Sequence, residues 1–318
     1  MTETVQTENV IEVRDLTKRY KELTAVDDIS FDVRKGEILG LLGPNGSGKS
    51  TTINCILSLL SFQSGSIRIF GEEMKPDRYD IKKQIGVIFQ EIAVFRELTV
   101  RDNIDYFCGL YIPEKSTRAG LVDGAVEFTG LRGYEKFYPK QLSGGLMRRL
   151  NIACGIAHKP KLLFADEPTA AIDPQSRNSI LQGFETLRQQ GATVVYTTHY
   201  MEEVEMICDR VIILDKGKII ASGTIDELKD LANVREKISV EIMDLEDGLM
   251  EEIRVLPHVI DVKRNGNTLH IAYGAGHNNL AEFMDFLHGH ELRYDKVYSE
   301  RPTLNDVFLE LTGKELRD

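Results

Sequence analysis

Tryptophan is absent from this chain of 318 residues, and cysteine (four) and proline (nine) are scarce. Cys55, Cys108, Cys154 and Cys208 stand far apart, without CxxC spacing. Such spacing excludes a disulfide framework or a sulfur-ligated zinc site and reads as buried thiols in a reducing compartment. Few prolines, and 26 glycines without a repeat, exclude collagen-like and low-complexity chains. No apolar run approaches the roughly 20 residues of a spanning helix. The most apolar stretches, such as Leu162-Leu163-Phe164-Ala165, are strand-sized. The opening MTETVQTENV has no basic n-region and no apolar h-region, so no secretory signal is expected and the expected location is cytoplasmic. Positive charge is short as well: 39 Lys and Arg against 50 Asp and Glu leave −11, with a pI near 5.3. That balance argues against a nucleic-acid partner held by a broad basic face, and against adsorption to anionic lipid.

What is present is ordinary for a globular protein: 42% apolar and 28% charged residues, with length for about two domains. Residues 10–35 alternate apolar and polar and read as strands. The segment 37–43, EILGLLG, is a short apolar run that suits a strand buried on both faces. It leads into PNGSGKST and an apolar-periodic helix. Residues 81–90 read as a strand ending at Gln90, and residues 97–160 as mostly helical. KLLFADE, ATVVYTTH and RVIILDKGKIIASG restore strand–helix–strand alternation, the mark of a parallel sheet covered by helices. The pattern changes near residues 228–237. Beyond it come a strand (238–242), a helix (245–255), two strands (259–263 and 268–273), a helix (279–288) and a strand (292–299), with a last short helix from Thr303. Asn265-Gly266-Asn267 is a hairpin signal, and β-α-β-β-α-β is the ferredoxin-like order. The expected division is a tail (1–9), a first domain (10–228) with a helical subdomain at about 95–160, and a C-terminal domain (229–318).

Three segments carry chemistry. Gly43-Pro44-Asn45-Gly46-Ser47-Gly48-Lys49-Ser50 matches GxxxxGK[ST], lies between a buried strand and a helix, and runs on into Thr51. Backbone N–H groups of such a loop converge on phosphate oxygens, and the helix N-terminus favours an anion. Lys49 is expected to reach the β- and γ-phosphates, and the Ser50 hydroxyl to ligate Mg²⁺. The strand 162–165 ends in Asp166-Glu167. Two adjacent acids often mark only a solvated loop, but beside a phosphate loop they read as chemistry. Asp166 would hold Mg²⁺, and Glu167, expected on the other face of the strand end, would polarise an attacking water. Leu142-Ser143-Gly144-Gly145 precedes a helix expected at 146–158. Ser143 can cap it and the glycines leave N–H groups bare, so it is either a second anion site or an ordinary capped helix.

Taken in order, the phosphate loop, Gln90, LSGG, ADE and His199 resemble the ATP-binding subunits of ABC transporters, over roughly residues 10–228. The resemblance implies an α/β P-loop ATPase domain with a parallel core sheet, an antiparallel β subdomain and a helical subdomain. The C-terminal α+β domain is similar to the accessory domain of one branch. A head-to-tail dimer is also implied, homodimeric or with a paired ATPase subunit. Each ATP would lie between the phosphate loop of one subunit and Ser143-Gly144-Gly145 of the other. Tyr20 matches the aromatic that stacks on adenine. Gln90 matches the residue that senses Mg²⁺, the γ-phosphate and the membrane partner. Asp173 matches the loop linking the two sites, and His199 the switch histidine. Tyr20 and His199 also have plain readings, as a strand-end aromatic and a strand cap. Two departures stand out: Leu146 where Gln is common, and Ala171 where Gly is usual.

The stretches LSGGLMRRLNIACGIAHKPKLLFADEPT, TTHYMEEVEMICDR and PTLNDVFLELTGKELRD look like the drug- and antibiotic-resistance branch of ABC exporters. That implies ABC-2 type membrane subunits and attachment to the inner face of the cell membrane through them. An importer ATPase is an alternative. A soluble ribosomal ABC protein normally has two cassettes, and a chromosome-type ATPase has long heptad arms before LSGG; this chain has one phosphate loop and no such arms.

Overall fold

The computed structural model describes residues 8–170, 172–243, 247–274, 276 and 278–313; Ala171, most of the tail and the last five residues lie outside them. The chain divides into two compact units between Thr224 and Ile225. That point is ahead of the border expected at 228, because the helix over Ile225–Lys229 packs its buried Leu228 within the second unit.

In the first unit β1 (Asn9–Tyr20) and β2 (Leu23–Arg34) form a hairpin. β3 (Ile38–Leu42) is buried throughout and feeds the phosphate loop and α1 (Lys49–Ile56). β4 (Ser64–Ile69) and β5 (Glu72–Glu73) complete an antiparallel sheet in the order β2-β1-β4-β5. Next come α2 (Tyr79–Lys82) and β6 (Ile85–Ile88). The strand is shorter than expected: residues 81–82 belong to α2, and Gln90 sits in a bend beyond the strand. α3 (Val100–Gly109), α4 (Lys115–Phe128) and α5 (Gly144–Ile156) enclose a core of their own around Ile104, Val122, Leu131 and Leu150.

β7 (Leu162–Asp166), α6 (Pro174–Gln189), β8 (Thr193–Thr198), α7 (Met201–Ile207), β9 (Arg210–Asp215) and β10 (Lys218–Gly223) finish this unit. The larger sheet runs β10-β9-β3-β8-β7-β6, parallel from β9 to β6. β10 is an antiparallel edge, so 210–223 is a hairpin turning at Lys216-Gly217 and not part of the alternation. Residues 162–165 are all but inaccessible, and Leu162 and Phe164 share a core with α1 and the antiparallel sheet. Each fully buried Leu or Phe there contributes about 1.5–3 kcal/mol. The parallel order brings the C-terminal ends of β3, β7 and β8 side by side, the place where open α/β sheets bind ligands.

The second unit opens with α8 (Ile225–Lys229), followed by β11 (Glu236–Ile242), α9 (Asp247–Arg254), β12 (Val259–Asn265), β13 (Thr268–Tyr273), α10 (Asn279–Gly289), β14 (Tyr294–Glu300) and α11 (Leu304–Thr312). Its sheet is antiparallel throughout, in the order β12-β13-β11-β14. That is the ferredoxin-like arrangement expected from βαββαβ. Ile238, Val240, Ile271, Phe283 and Leu287 share its core.

Candidate functional site

The loop after β3 wraps around the start of α1. Gly43 and Gly48 are required by close approach. A Cβ on Gly43 would lie 2.2 Å from the Leu214 carbonyl oxygen, and one on Gly48 2.5 Å from that of Ala25. Gly48 also has φ +107, where a side chain is strained. Gly46 is likewise left-handed at φ +81. The Ser47 hydroxyl is buried without a hydrogen-bond partner, and the Gly217 amide ties the β9–β10 turn to the Ser47 carbonyl at 3.0 Å.

Lys49 is buried, and its Nζ donates to the carbonyls of Gly43 (2.7 Å) and Pro44 (3.2 Å). Burial lowers the Lys49 pKa, opposed by the charges of Glu167 and Asp166. The Glu167 carboxylate lies 3.7 Å from Lys49 Nζ and 3.4 Å from His199 Nδ1, and accepts the Gln90 amide at 3.0 Å. Three residues, from the phosphate loop and from beyond the ends of β6 and β8, thus meet at one buried carboxylate.

Glu167 does not reach this place by strand alternation. β7 ends at Asp166, and Glu167 takes φ +45, a left-handed conformation costly for a non-glycine residue. Its amide donates to the carbonyl and hydroxyl of Thr197, both at 3.1 Å, which pins the turn. The Thr197 hydroxyl in turn donates to Asp166 Oδ1. Asp166 is therefore anchored on β8 while Glu167 swings toward the loop.

A cavity of about 440 Å³ opens beside this cluster, lined by Tyr20, Asn45, Gly46, Gly48, Lys49, Ser50, Thr51, Gln90 and Glu167. Tyr20 stands 42% exposed at its wall, with Lys18 Nζ 4.7 Å from the ring centroid. Thr24, Ala25 and Lys216 line it too. The sequence reading missed Lys216, although a cation in the DKG turn was a usable signal.

Ser143, Gly144 and Gly145 do not line this cavity. α5 starts at Gly144, two residues earlier than expected, because the Ser143 hydroxyl accepts the Leu146 amide at 3.3 Å and caps it there. A Cβ on Gly145 would lie 3.6 Å from Asp173 Oδ2 and 3.1 Å from Ser176 Oγ, so the LSGG turn abuts Asp173. Asp173 caps α6 by accepting the Ser176 amide at 2.9 Å, and these hydrogen bonds hold its pKa below the usual carboxylate range. α5 is tied to the Gln90 segment as well: Arg148 donates to the Gln90 carbonyl at 2.8 Å, and Asn151 to that of Phe89 at 3.2 Å.

The sequence matches the ABC transporter family over residues 26–170 and the DrrA1-3-like ATP-binding protein C-terminal domain over 223–312. It is 38% identical to the linearmycin resistance ATP-binding protein LnrL of Bacillus subtilis, over 97% of this chain and all of that one. The chain belongs to the ATP-binding proteins of ABC transporters. The Nod factor export ATP-binding protein I of Ralstonia nicotianae is 32% identical over 97% of this chain and 95% of its own length. A dimeric ATP-binding cassette in a post-hydrolysis state, bound to ADP and Pi, superposes with TM-score 0.62 at 27% identity, over 67% of this chain and 98% of that one. As a member of this family, the protein is an ABC-type ATP hydrolase. No helix among the described residues of this ABC protein is long and apolar enough to cross a membrane.

Proposed function

We propose that this protein binds and hydrolyses ATP to drive export of a drug, antibiotic or lipid-like molecule through separate ABC-2 type membrane subunits. The observation that carries the reading is the Glu167 carboxylate, gathered with Lys49, Gln90 and His199 at the wall of the phosphate-loop cavity. Tyr20 offers a ring to the adenine. The amides of Asn45, Gly46, Ser47, Gly48, Lys49, Ser50 and Thr51 line the phosphates, and Lys49 trades its carbonyl contacts for phosphate oxygens. Glu167 orients and deprotonates the attacking water. His199 and Gln90 hold that carboxylate and report on what occupies the γ-phosphate position.

A hydroxyl, a carboxylate and an amide are hard oxygen donors and fit Mg²⁺. Ser50, Asp166 and Gln90 would hold it, and when bound it neutralises charge on the transferred phosphoryl group.

Ser143, Gly144 and Gly145 are free of their own cavity, which suits them to close the site of a second subunit, homodimeric or paired. Asp173 beside Gly145 links the two sites. The similar relatives named for resistance and export support the direction of transport. An apolar cavity of about 270 Å³ flanked by the exposed Leu59, Phe89 and Leu110 lies next to Gln90, and suits a docking segment of the membrane subunit. This seat would put the protein on the inner face of the cell membrane.

Affinity capture from solubilised membranes tests this reading. Recovery of a polytopic subunit that has no ATP cassette supports it. Recovery of ribosomes, or of an importer with its solute-binding protein, overturns it.

A further inference from the structure

Behind the Glu167 cluster lies a second buried carboxylate that none of these roles uses. Glu203, on α7, is 1% exposed. Its Oε1 accepts the Thr169 hydroxyl at 2.7 Å, and its Oε2 accepts the hydroxyls of Tyr196 (2.8 Å) and Thr198 (2.9 Å). The Arg177 Nε lies 3.4 Å from Oε1 and makes no hydrogen bond, while its guanidinium rests 4.5 Å above the Tyr200 ring.

The positions of these partners make the cluster more than packing. Thr169 lies two residues beyond Glu167, on the same turn. Thr198 immediately precedes His199, and its hydroxyl also accepts the Tyr200 amide at 3.0 Å. Arg177 lies in the first turn of α6, where its amide donates to the Asp173 carbonyl at 2.9 Å. One carboxylate therefore accepts hydroxyls from the turn that carries the water-activating acid and from the strand end that carries the switch histidine, and pairs with Arg177 on the helix capped by Asp173. A buried charge is costly even when paired, and apolar residues of similar volume often serve stability as well or better. What the charge supplies is a fixed geometry among three segments that apolar packing would leave free to slide.

Resting on the hydrolytic role given to Glu167, we infer that Glu203 is a positioning residue for ATP hydrolysis. It sets Glu167 and His199 in mutual register and, through Arg177, ties that register to the Asp173 helix. A misplacement of about 1 Å remote from the chemistry can cost 10²-fold in rate. Glu203→Gln keeps the volume but loses the charge and one acceptor. Its kcat should fall by about 10- to 100-fold, on the same physical ground. Affinity for ATP, measured in the Glu167→Gln background so that nothing is consumed, should stay within about threefold, a binding difference under 1 kcal/mol. Thr169→Val is nearly isosteric, removes a single hydroxyl, and should lower kcat in the same sense but less.

If both sides of the ion pair act as one unit, adding Arg177→Met to Glu203→Gln should cost little further rate. Parental kcat in Thr169→Val and Glu203→Gln overturns the inference. So does a loss of rate matched by loss of ATP affinity and of thermal midpoint, which would make the cluster merely structural. Should Glu203→Gln fail to fold, Thr169→Val decides alone. Parental turnover in Glu167→Gln would instead sink the underlying hydrolytic reading, so the two failures are distinguishable.

Discussion

Replacing Glu167 by glutamine is expected to leave ATP binding intact and to stop turnover. The amide keeps the side chain's volume, and its oxygen can still accept the Gln90 hydrogen bond now made at 3.0 Å. What disappears is the charge facing Lys49 and His199 and the capacity to take a proton. Loss of a general base typically costs about 10²–10⁴ in rate, or about 2.7–5.5 kcal/mol on the barrier. Binding responds in the opposite sense. The carboxylate and the γ-phosphate are like charges at one wall of the cavity, so the variant should bind ATP as tightly as the parent or more so. The free protein should lose stability. Removing one partner of a buried pair costs about 3–5 kcal/mol, here an upper bound because Asp166 still acts on Lys49. Phosphate release should therefore fall by two to four decades. Calorimetry should give an unchanged or lower Kd, and size exclusion with ATP and Mg²⁺ should show a persistent dimer. Turnover within about threefold of the parent, a barrier change under 1 kcal/mol, would refute the role given to Glu167.

Lys49→Ala should fail earlier, at nucleotide binding. It deletes the buried cation while sparing the backbone loop, and calorimetry should show a large rise in Kd; an unchanged Kd would remove Lys49 from the phosphates. Tyr20→Ala should weaken ATP binding by about 1–3 kcal/mol, the value of base–aromatic stacking, whereas Tyr20→Phe should match the parent because the ring alone is used. Acid should destabilise the fold partly through His158, which is buried, stacks on Tyr111 at 3.8 Å and shares a hydrogen bond with the Ile85 carbonyl at 3.1 Å. Burial depresses its pKa, so it folds neutral. Its contribution is complete above the unfolded value of about 6.5 and is lost as the pH falls below it. In melts between neutral pH and mild acid, His158→Phe should flatten that loss; an identical pH dependence would exclude His158.

Where chemistry and periodicity coincide locally, the site was legible from residues alone. The all-apolar β3, the glycine spacing and α1 made the phosphate loop readable, and LLFAD ended where its last apolar residue met two acids. Topology in the C-terminal unit followed from strand and helix lengths and the Asn265-Gly266-Asn267 turn. Gln90 was misplaced onto a strand because IGVIFQ continues an apolar run past the last paired residue, Ile88. The hairpin 210–223 was hidden because β9 is a buried apolar run, which periodicity cannot tell from one of a parallel pair, and the half-buried β10 repeats an apolar pair straight after it. Glu167 illustrates a deeper limit. Its position depends on a left-handed turn held by Thr197, thirty residues away in the chain. The Glu203 cluster joins residues from four segments whose proximity exists only after the sheet has formed, and no local pattern marks it.

The shared site is tested most directly by mixing subunits. No residue of 143–145 lines its own chain's cavity, so Gly145→Asp should leave ATP binding by the isolated subunit intact. Within its own chain the new side chain would press on Ser176 and stand beside Asp173, and in a dimer its charge should stop closure over the partner's ATP. A heterodimer with Lys49→Ala on one subunit and Gly145→Asp on the other damages the same composite site twice and leaves one site whole. With both changes on one subunit, both sites are damaged. If each ATP is shared, the first arrangement retains more phosphate release than the second. Equal rates from the two arrangements, or loss of ATP binding by the isolated Gly145→Asp subunit, would contradict the shared site.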